Sequence, residues 1–152
     1  MSAGPRPDSF REMTTTPAAW TLRCDGGSRG NPGPGALGYV LSDAAGREVE
    51  ARGEFLGVCT NNVAEYRSLL AGLAAATRHG VRTLVVRMDS ELVVRQMLGQ
   101  YKVKNEALKV LHAEARQAVT QLGVVRFEAV PRDDNGRADA LVNEALDEAL
   151  RR

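Results

Sequence analysis

Apolar residues in this chain fall into two rhythms, and their succession predicts the architecture. Trp20 to Asp25 alternates and ends in turn residues, so it reads as a first strand. A glycine- and proline-rich loop follows, then a second strand over Ala36 to Ser42. The turn Asp43-Ala44-Ala45-Gly46 leads into a third strand over Arg47 to Val58, completing an antiparallel meander. Thr60 to His79 then repeats at helical spacing through Val63, Tyr66, Leu70, Leu73 and Thr77. Asn61 and Asn62 are suitable caps, as is Thr60, and Gly80 is a stop. Arg82 to Met88 is continuously apolar apart from its arginines and Thr83, the pattern of a strand buried on both faces. Ser90 to Leu98 and Asn105 to Leu122 read as helices, each stopped by glycine. Val124 to Val130 is a fifth strand, stopped by Pro131. Asn135 to Leu150 is a last helix with Ala138, Leu141, Val142, Ala145, Leu146 and Ala149 inward. The order βββαβααβα implies a three-layer α/β domain over residues 19–152, with a five-stranded mixed sheet and helices on both faces.

Composition changes this picture little. The 152 residues suit one domain, and 43% hydrophobic with 26% charged residues is ordinary for a globular chain. A net charge of +1 neither favours nor excludes nucleic acid, because a basic strip can sit on a neutral protein. Cys24 and Cys59 make no CxxC and no disulfide framework, so a reduced, cytoplasmic setting is expected. No apolar run approaches the ~18 residues of a membrane span. Residues 1–18 hold three prolines and no apolar core segment, and are expected to form a disordered tail.

The candidate chemistry lies in four carboxylates. Asp25 stands where the first strand meets the run Gly26-Gly27-Ser28-Arg29-Gly30-Asn31-Pro32. Glu65 lies in the first turns of the first long helix. Asp89 ends the fourth strand, and Asp139 lies in the first turns of the last helix. Each has a bland reading: Asp25 as a turn opener, Asp89-Ser90 as a helix cap, Glu65 as a partner of the helix dipole, Asp139 as a solvated residue. Taken together, and without His or Cys beside them, they predict an all-oxygen site for a hard divalent cation such as Mg²⁺. If the first and fourth strands pair, Asp25 and Asp89 stand side by side. The helix N-termini are expected to lower the acids' pKa values, and a cation would remove their repulsion. Two ions about 4 Å apart suit in-line displacement at phosphorus, one activating water and the other stabilising the leaving oxygen.

In these residues the chain resembles ribonuclease H of type 1. The segments Cys24-Asp25-Gly26-Gly27-Ser28, Thr60-Asn61-Asn62-Val63-Ala64-Glu65, Asp89-Ser90 and Asn135-Gly136-Arg137-Ala138-Asp139 match the family's motifs in order, from Trp20 to about Leu150. The resemblance implies the ribonuclease H-like fold and cleavage of the RNA strand of RNA–DNA hybrids to 5′-phosphate and 3′-hydroxyl ends. It makes Asp25, Glu65, Asp89 and Asp139 the catalytic, metal-holding acids, with two Mg²⁺ per site when substrate is bound and Mn²⁺ able to substitute. It assigns substrate contacts to Gly26, Gly30, Asn31, Asn61, Asn62 and Ser90, which would meet the RNA strand's 2′-hydroxyls. A phosphate of the DNA strand would fall to Thr60 and Asn105, with Arg29 and Lys104 near by. A monomer is expected. With the chain ending at Arg152, no fused phosphatase-like domain of the kind some members carry is expected.

The chain departs from the family in two places. Many members carry a mobile histidine before the last catalytic aspartate; here the loop is Pro131-Arg132-Asp133-Asp134, as in a divergent bacterial and archaeal branch. Arg132 is then expected to help release the 5′-phosphate product, but a guanidinium cannot shuttle a proton at neutral pH. His79 and His112 are expected to be structural. The basic, Trp-containing protrusion of well-known members is replaced by Gly99-Gln100-Tyr101-Lys102-Val103-Lys104-Asn105. Fewer phosphate contacts imply weaker binding and some cleavage of double-stranded RNA. Two alternatives stay open: a non-catalytic hybrid- or dsRNA-binding module, and a different nuclease on the same fold. A P-loop is excluded, because the glycine run lacks its Gly-Lys-Ser/Thr ending.

Overall fold

A computed structural model describes residues 18–151; the expected tail, apart from Ala18, lies outside the described residues. Strands β1 (Trp20–Ser28), β2 (Gly33–Ser42) and β3 (Glu48–Cys59) form the meander. Helix α1 (Asn61–Arg78) leads to β4 (Thr83–Met88). Helices α2 (Glu91–Met97) and α3 (Glu106–Leu122) precede β5 (Val124–Ala129). A 3₁₀ turn (Arg132–Asn135) then runs into α4 (Gly136–Leu150). The sheet order is β3-β2-β1-β4-β5. β1 and β4 pair in parallel, as do β4 and β5, while the other two pairings are antiparallel. The five-stranded mixed sheet is therefore as expected.

Period-2 alternation sends β1 to two different environments. Leu22 and Cys24 enter a large core with Leu84, Val86 and Met88 of β4, covered by α1, α2 and α3. Arg23 and Asp25 face the other way, the side on which α4 lies. There the buried apolar cluster is small: Ala36, Val142 and Leu146. α4 lies very close to β2, since a Cβ on Gly38 would meet the Ala138 carbonyl at 2.6 Å, so only glycine lets the helix seat there.

Several boundaries differ from the sequence reading. β1 runs on through Gly26, Gly27 and Ser28, which pair with Leu37, Ala36 and Gly35; the loop shrinks to residues 29–32. Glycines that read as loop serve here as strand positions of close approach. Thr60, not Asn61 or Asn62, caps α1 by accepting from Val63 N at 3.2 Å. The buried face of α1 is a stripe of small residues (Ala64, Ser68, Gly72, Ala75, Ala76) with Tyr66, Leu69 and Leu73, whereas Thr77 is exposed. Bulky spacing missed this stripe, because the helix sits tight on Leu22, 2.7 Å from where a Gly72 Cβ would be. Among the described residues no helix is long and apolar enough to cross a membrane.

Candidate active site

The parallel register Cys24↔Met88 carries the next residues, Asp25 and Asp89, to the same end of neighbouring strands. Glu65 reaches them from α1, where its Oε1 accepts from Gly26 N at 3.0 Å. This approach needs glycine: a Cβ on Gly26 would lie 2.2 Å from the Ala64 carbonyl oxygen and push helix and strand apart. Carboxylate oxygens of Asp25, Glu65 and Asp89 all lie within 4.8 Å of one another. Asp139 joins from α4, close enough for its carboxyl group to raise the Asp25 pKa. It is not part of the tight group of three.

The acids lie in a groove of about 600 Å³. Of the predicted substrate and auxiliary residues, Gly26, Asn61 and Arg132 also line it. Asn61 is turned toward β1, its Oδ1 accepting from Ser28 N at 2.8 Å. Gly30, Asn31, Thr60, Asn62, Ser90, Lys104 and Asn105 lie outside the groove lining. Thr60, Ser90 and Asn105 are N-caps of α1, α2 and α3, accepting from the N–H three residues on. Asn31 Oδ1 accepts from Asn61 N at 3.0 Å, tying the β1–β2 turn to α1. Arg29 stands apart from Thr60 and Asn105; it lines the groove and reaches α4. His79 contacts Glu50 and Trp20, and His112 the Gln96 carbonyl, so both sit in structural settings.

Electrostatics correct one expectation. Asp25, Glu65 and Asp89 are not held ionised by helix dipoles; burial, with the charges of neighbouring acids, raises all three. Asp25, only 7% exposed, is pushed up to about 8, first by burial, then by the Asp89 charge and the Asp139 hydrogen bond and charge, with Gly26 N–H opposing. Burial and the charges of Asp25 and Asp89 raise Glu65 well above the usual carboxylate range. Burial raises Asp89, against the pull of Arg132 and an Asn135 hydrogen bond. At an effective dielectric of about 20, like charges ~5 Å apart repel by roughly 3 kcal/mol per pair. An all-oxygen donor set that opposes its own ionisation fits a hard divalent cation.

The sequence reading gave no role to three residues here. Asn135 is fully buried and donates from Nδ2 to the Cys24 carbonyl at 2.7 Å, while its Oδ1 has no partner. This amide fastens the start of α4 to β1. Its signal was its place just before the last helix, where asparagine reads as a plain cap, yet its side chain caps nothing. Ser28 and Asn143 also line the groove.

A sequence family described as "Reverse transcriptase-like" matches residues 23–145. A protein named Ribonuclease H from Hydrogenovibrio crunogenus is 36% identical over 143 residues, covering 84% of this chain and 94% of that protein. The chain belongs to the ribonuclease H type 1 family. A solved structure of LC11-RNase H1 in complex with an RNA/DNA hybrid superposes with a TM-score of 0.83 at 43% identity, covering 86% of this chain and 99% of that one. The bifunctional protein Rv2228c of Mycobacterium tuberculosis is 46% identical over 129 residues, which are 84% of this chain but 35% of that protein. The chain thus spans about a third of the length of that relative.

Proposed function

We propose that this ribonuclease H-type groove hydrolyses the RNA strand of an RNA–DNA hybrid, leaving 5′-phosphate and 3′-hydroxyl ends. One observation carries the reading: carboxylates from β1, α1 and the end of β4 meet within 4.8 Å on a groove wall shared with Asn61 and Arg132. The similar LC11-RNase H1, solved with an RNA/DNA hybrid, supports the substrate class. The reaction balances with water alone. A water oxygen bonds to phosphorus, the bond to O3′ breaks, and O3′ leaves with a proton.

Asp25, Glu65, Asp89 and Asp139 would hold the divalent cation, Mg²⁺ first and Mn²⁺ as substitute, with two ions when substrate is bound. Such ions supply activation of water and stabilisation of the leaving oxygen. The chain's own side chains do the rest. Asn61, its Oδ1 occupied by Ser28, offers Nδ2 to a 2′-hydroxyl, the group that marks RNA. Gly26 keeps the backbone low under the RNA strand. Outside the groove, Gly30, Asn31, Asn62 and Ser90 would extend that contact, and Thr60, Lys104 and Asn105 would take a phosphate of the DNA strand. Arg132, a permanent cation on the rim, draws the product's 5′-phosphate away and moves no proton. The short, weakly basic linker before α3 gives a light grip, with some cleavage of double-stranded RNA and a monomeric enzyme as corollaries.

The test is strand-resolved cleavage of a labelled hybrid with Mg²⁺, Mn²⁺ or EDTA, beside single- and double-stranded RNA and an Asp25→Asn control. Cutting of the RNA strand only, lost with EDTA and reduced by about a thousand-fold in the variant while binding persists, is expected. Binding without cleavage under either metal would replace the enzyme reading with that of a hybrid-binding module.

A further inference from the structure

We infer that Arg29 and Asn143 form a positioning relay that sets the Asp139 carboxylate, a role that rests on the catalytic reading of the groove. Asn143 stands one helical turn beyond Asp139 on α4. Its Nδ2 lies 3.3 Å from Asp139 Oδ2 and 3.1 Å from the Asp139 carbonyl oxygen. Its Oδ1 accepts from Arg29 Nη2 at 3.3 Å, across 114 residues of chain. The same Arg29 nitrogen lies 2.9 Å from Asp147 Oδ1, one further turn along the helix. Arg29, Asp139 and Asn143 all line the groove.

Donor and acceptor chemistry fixes the direction of this chain. A guanidinium only donates, and an ionised carboxylate only accepts. An amide between them has one satisfying orientation: oxygen toward Arg29, nitrogen toward Asp139. Arg29 therefore decides which face of Asn143 meets the carboxylate, and Asp147 keeps Arg29 in reach. The arrangement matters because Asp139 reaches the site from α4 and not from the sheet. Asp25 rests on a paired strand, Asp89 directly follows one and Glu65 is held by Gly26 N–H, whereas the Asp139 carboxylate takes its hydrogen bond from Asn143 of the same helix. A neutral amide holds Asp139 beside Asp25 without adding charge to an already crowded site. The sequence signal is the polar stripe Asp139, Asn143, Asp147 at successive turns of α4.

Asn143→Ala and Arg29→Leu test the relay, with Arg29→Lys as the conservative rescue and Asp147→Asn as a variant that keeps the Arg29–Asn143 contact. Three readouts are taken on the full chain: kcat and KM on a hybrid, the Mg²⁺ concentration for half-maximal rate, and Mn²⁺ binding to the substrate-free protein by electron paramagnetic resonance. Loss of a group that orients a metal ligand lowers kcat by about 10-fold, raises the Mg²⁺ requirement and weakens Mn²⁺ binding several-fold. KM stays within about 2-fold in that case, since the relay acts on the rate and not on uniform binding. Arg29→Lys recovers much of the loss, and Asp147→Asn shows the smallest effect. A fall in melting temperature with unchanged metal requirement and Mn²⁺ affinity would reduce the relay to a structural tie and overturn the proposal. A rise in KM at unchanged kcat would overturn it in favour of a direct substrate contact. If the wild-type protein cuts no hybrid with any metal, the catalytic reading fails first, and the Mn²⁺ measurement still decides the relay.

Discussion

The two faces of the sheet are built from the same strands to opposite ends. Toward α1, α2 and α3, the strands bury Leu22, Cys24, Leu84, Val86 and Met88 at full depth. Toward α4, the alternate residues are Arg23, Asp25, Val85 and Arg87, with Asp89 just past β4, and the buried apolar cluster shrinks to three residues. One face supplies most of the apolar core; the other holds Asp25, Glu65 and Asp89, whose pKa values burial and neighbouring acids raise. The contrast teaches why the site sits on a strand pair backed by the large core. Only a register locked by that core keeps Asp25 and Asp89 adjacent against their repulsion.

The largest expected effect breaks the supporting face. Leu84→Ala should cost about 3–5 kcal/mol by denaturant unfolding, as for a fully enclosed core leucine. Leu146→Ala, in the small cluster, should cost about 2–3 kcal/mol, because a site near the surface relaxes more readily. It should nonetheless lower cleavage more than its stability loss alone explains, since α4 carries Asp139 and Asn143. Equal costs at the two positions would remove the asymmetry.

Next comes pH. Asp25 rises from 3.8 to about 8 on folding, so the folded, metal-free protein holds that proton more tightly than the unfolded chain. The resulting stabilisation is complete below pH ~4 and is lost as pH climbs through about 8. Metal-free protein should therefore lose on the order of 1–3 kcal/mol between pH 4 and pH 8, after relaxation of the site, as read by denaturant midpoints in EDTA. A profile that is flat or rises over this range would contradict the crowding.

Smaller effects sharpen the comparison at the rim. Arg132→Ala removes the cation whose charge pulls Glu65 and Asp89 down. It should cut turnover about 10-fold, ~1.4 kcal/mol, mostly in kcat and in product release, with little change in melting temperature. Thr60→Ala removes the α1 cap and should cost about 1 kcal/mol of stability with catalysis nearly intact at low temperature.

Much of this organisation was legible in the sequence, and the exceptions share a cause. Element order followed from periodicity, and the acids stood out as carboxylates at strand ends and in early helical turns. Glycine misled the reading of β1, because Gly26 serves close packing against α1 rather than a turn. The small-residue stripe of α1 was invisible to a search for bulky apolar spacing. The direction of the pKa shifts was missed because helix dipoles were weighed without burial, which only the assembled site reveals. Asn135 and Arg29 act through partners 111 and 114 residues away, a coupling that no local pattern carries.

The most direct test of the account is the melting temperature of wild-type protein and Asp25→Asn at pH 8, each in EDTA and in Mg²⁺. The account predicts that Asp25→Asn melts higher than wild type in EDTA, with the gap closing toward pH 4, and that Mg²⁺ raises wild type much more than the variant. An Asp25→Asn protein that melts lower at both pH values, or an equal Mg²⁺ shift in the two proteins, would contradict it.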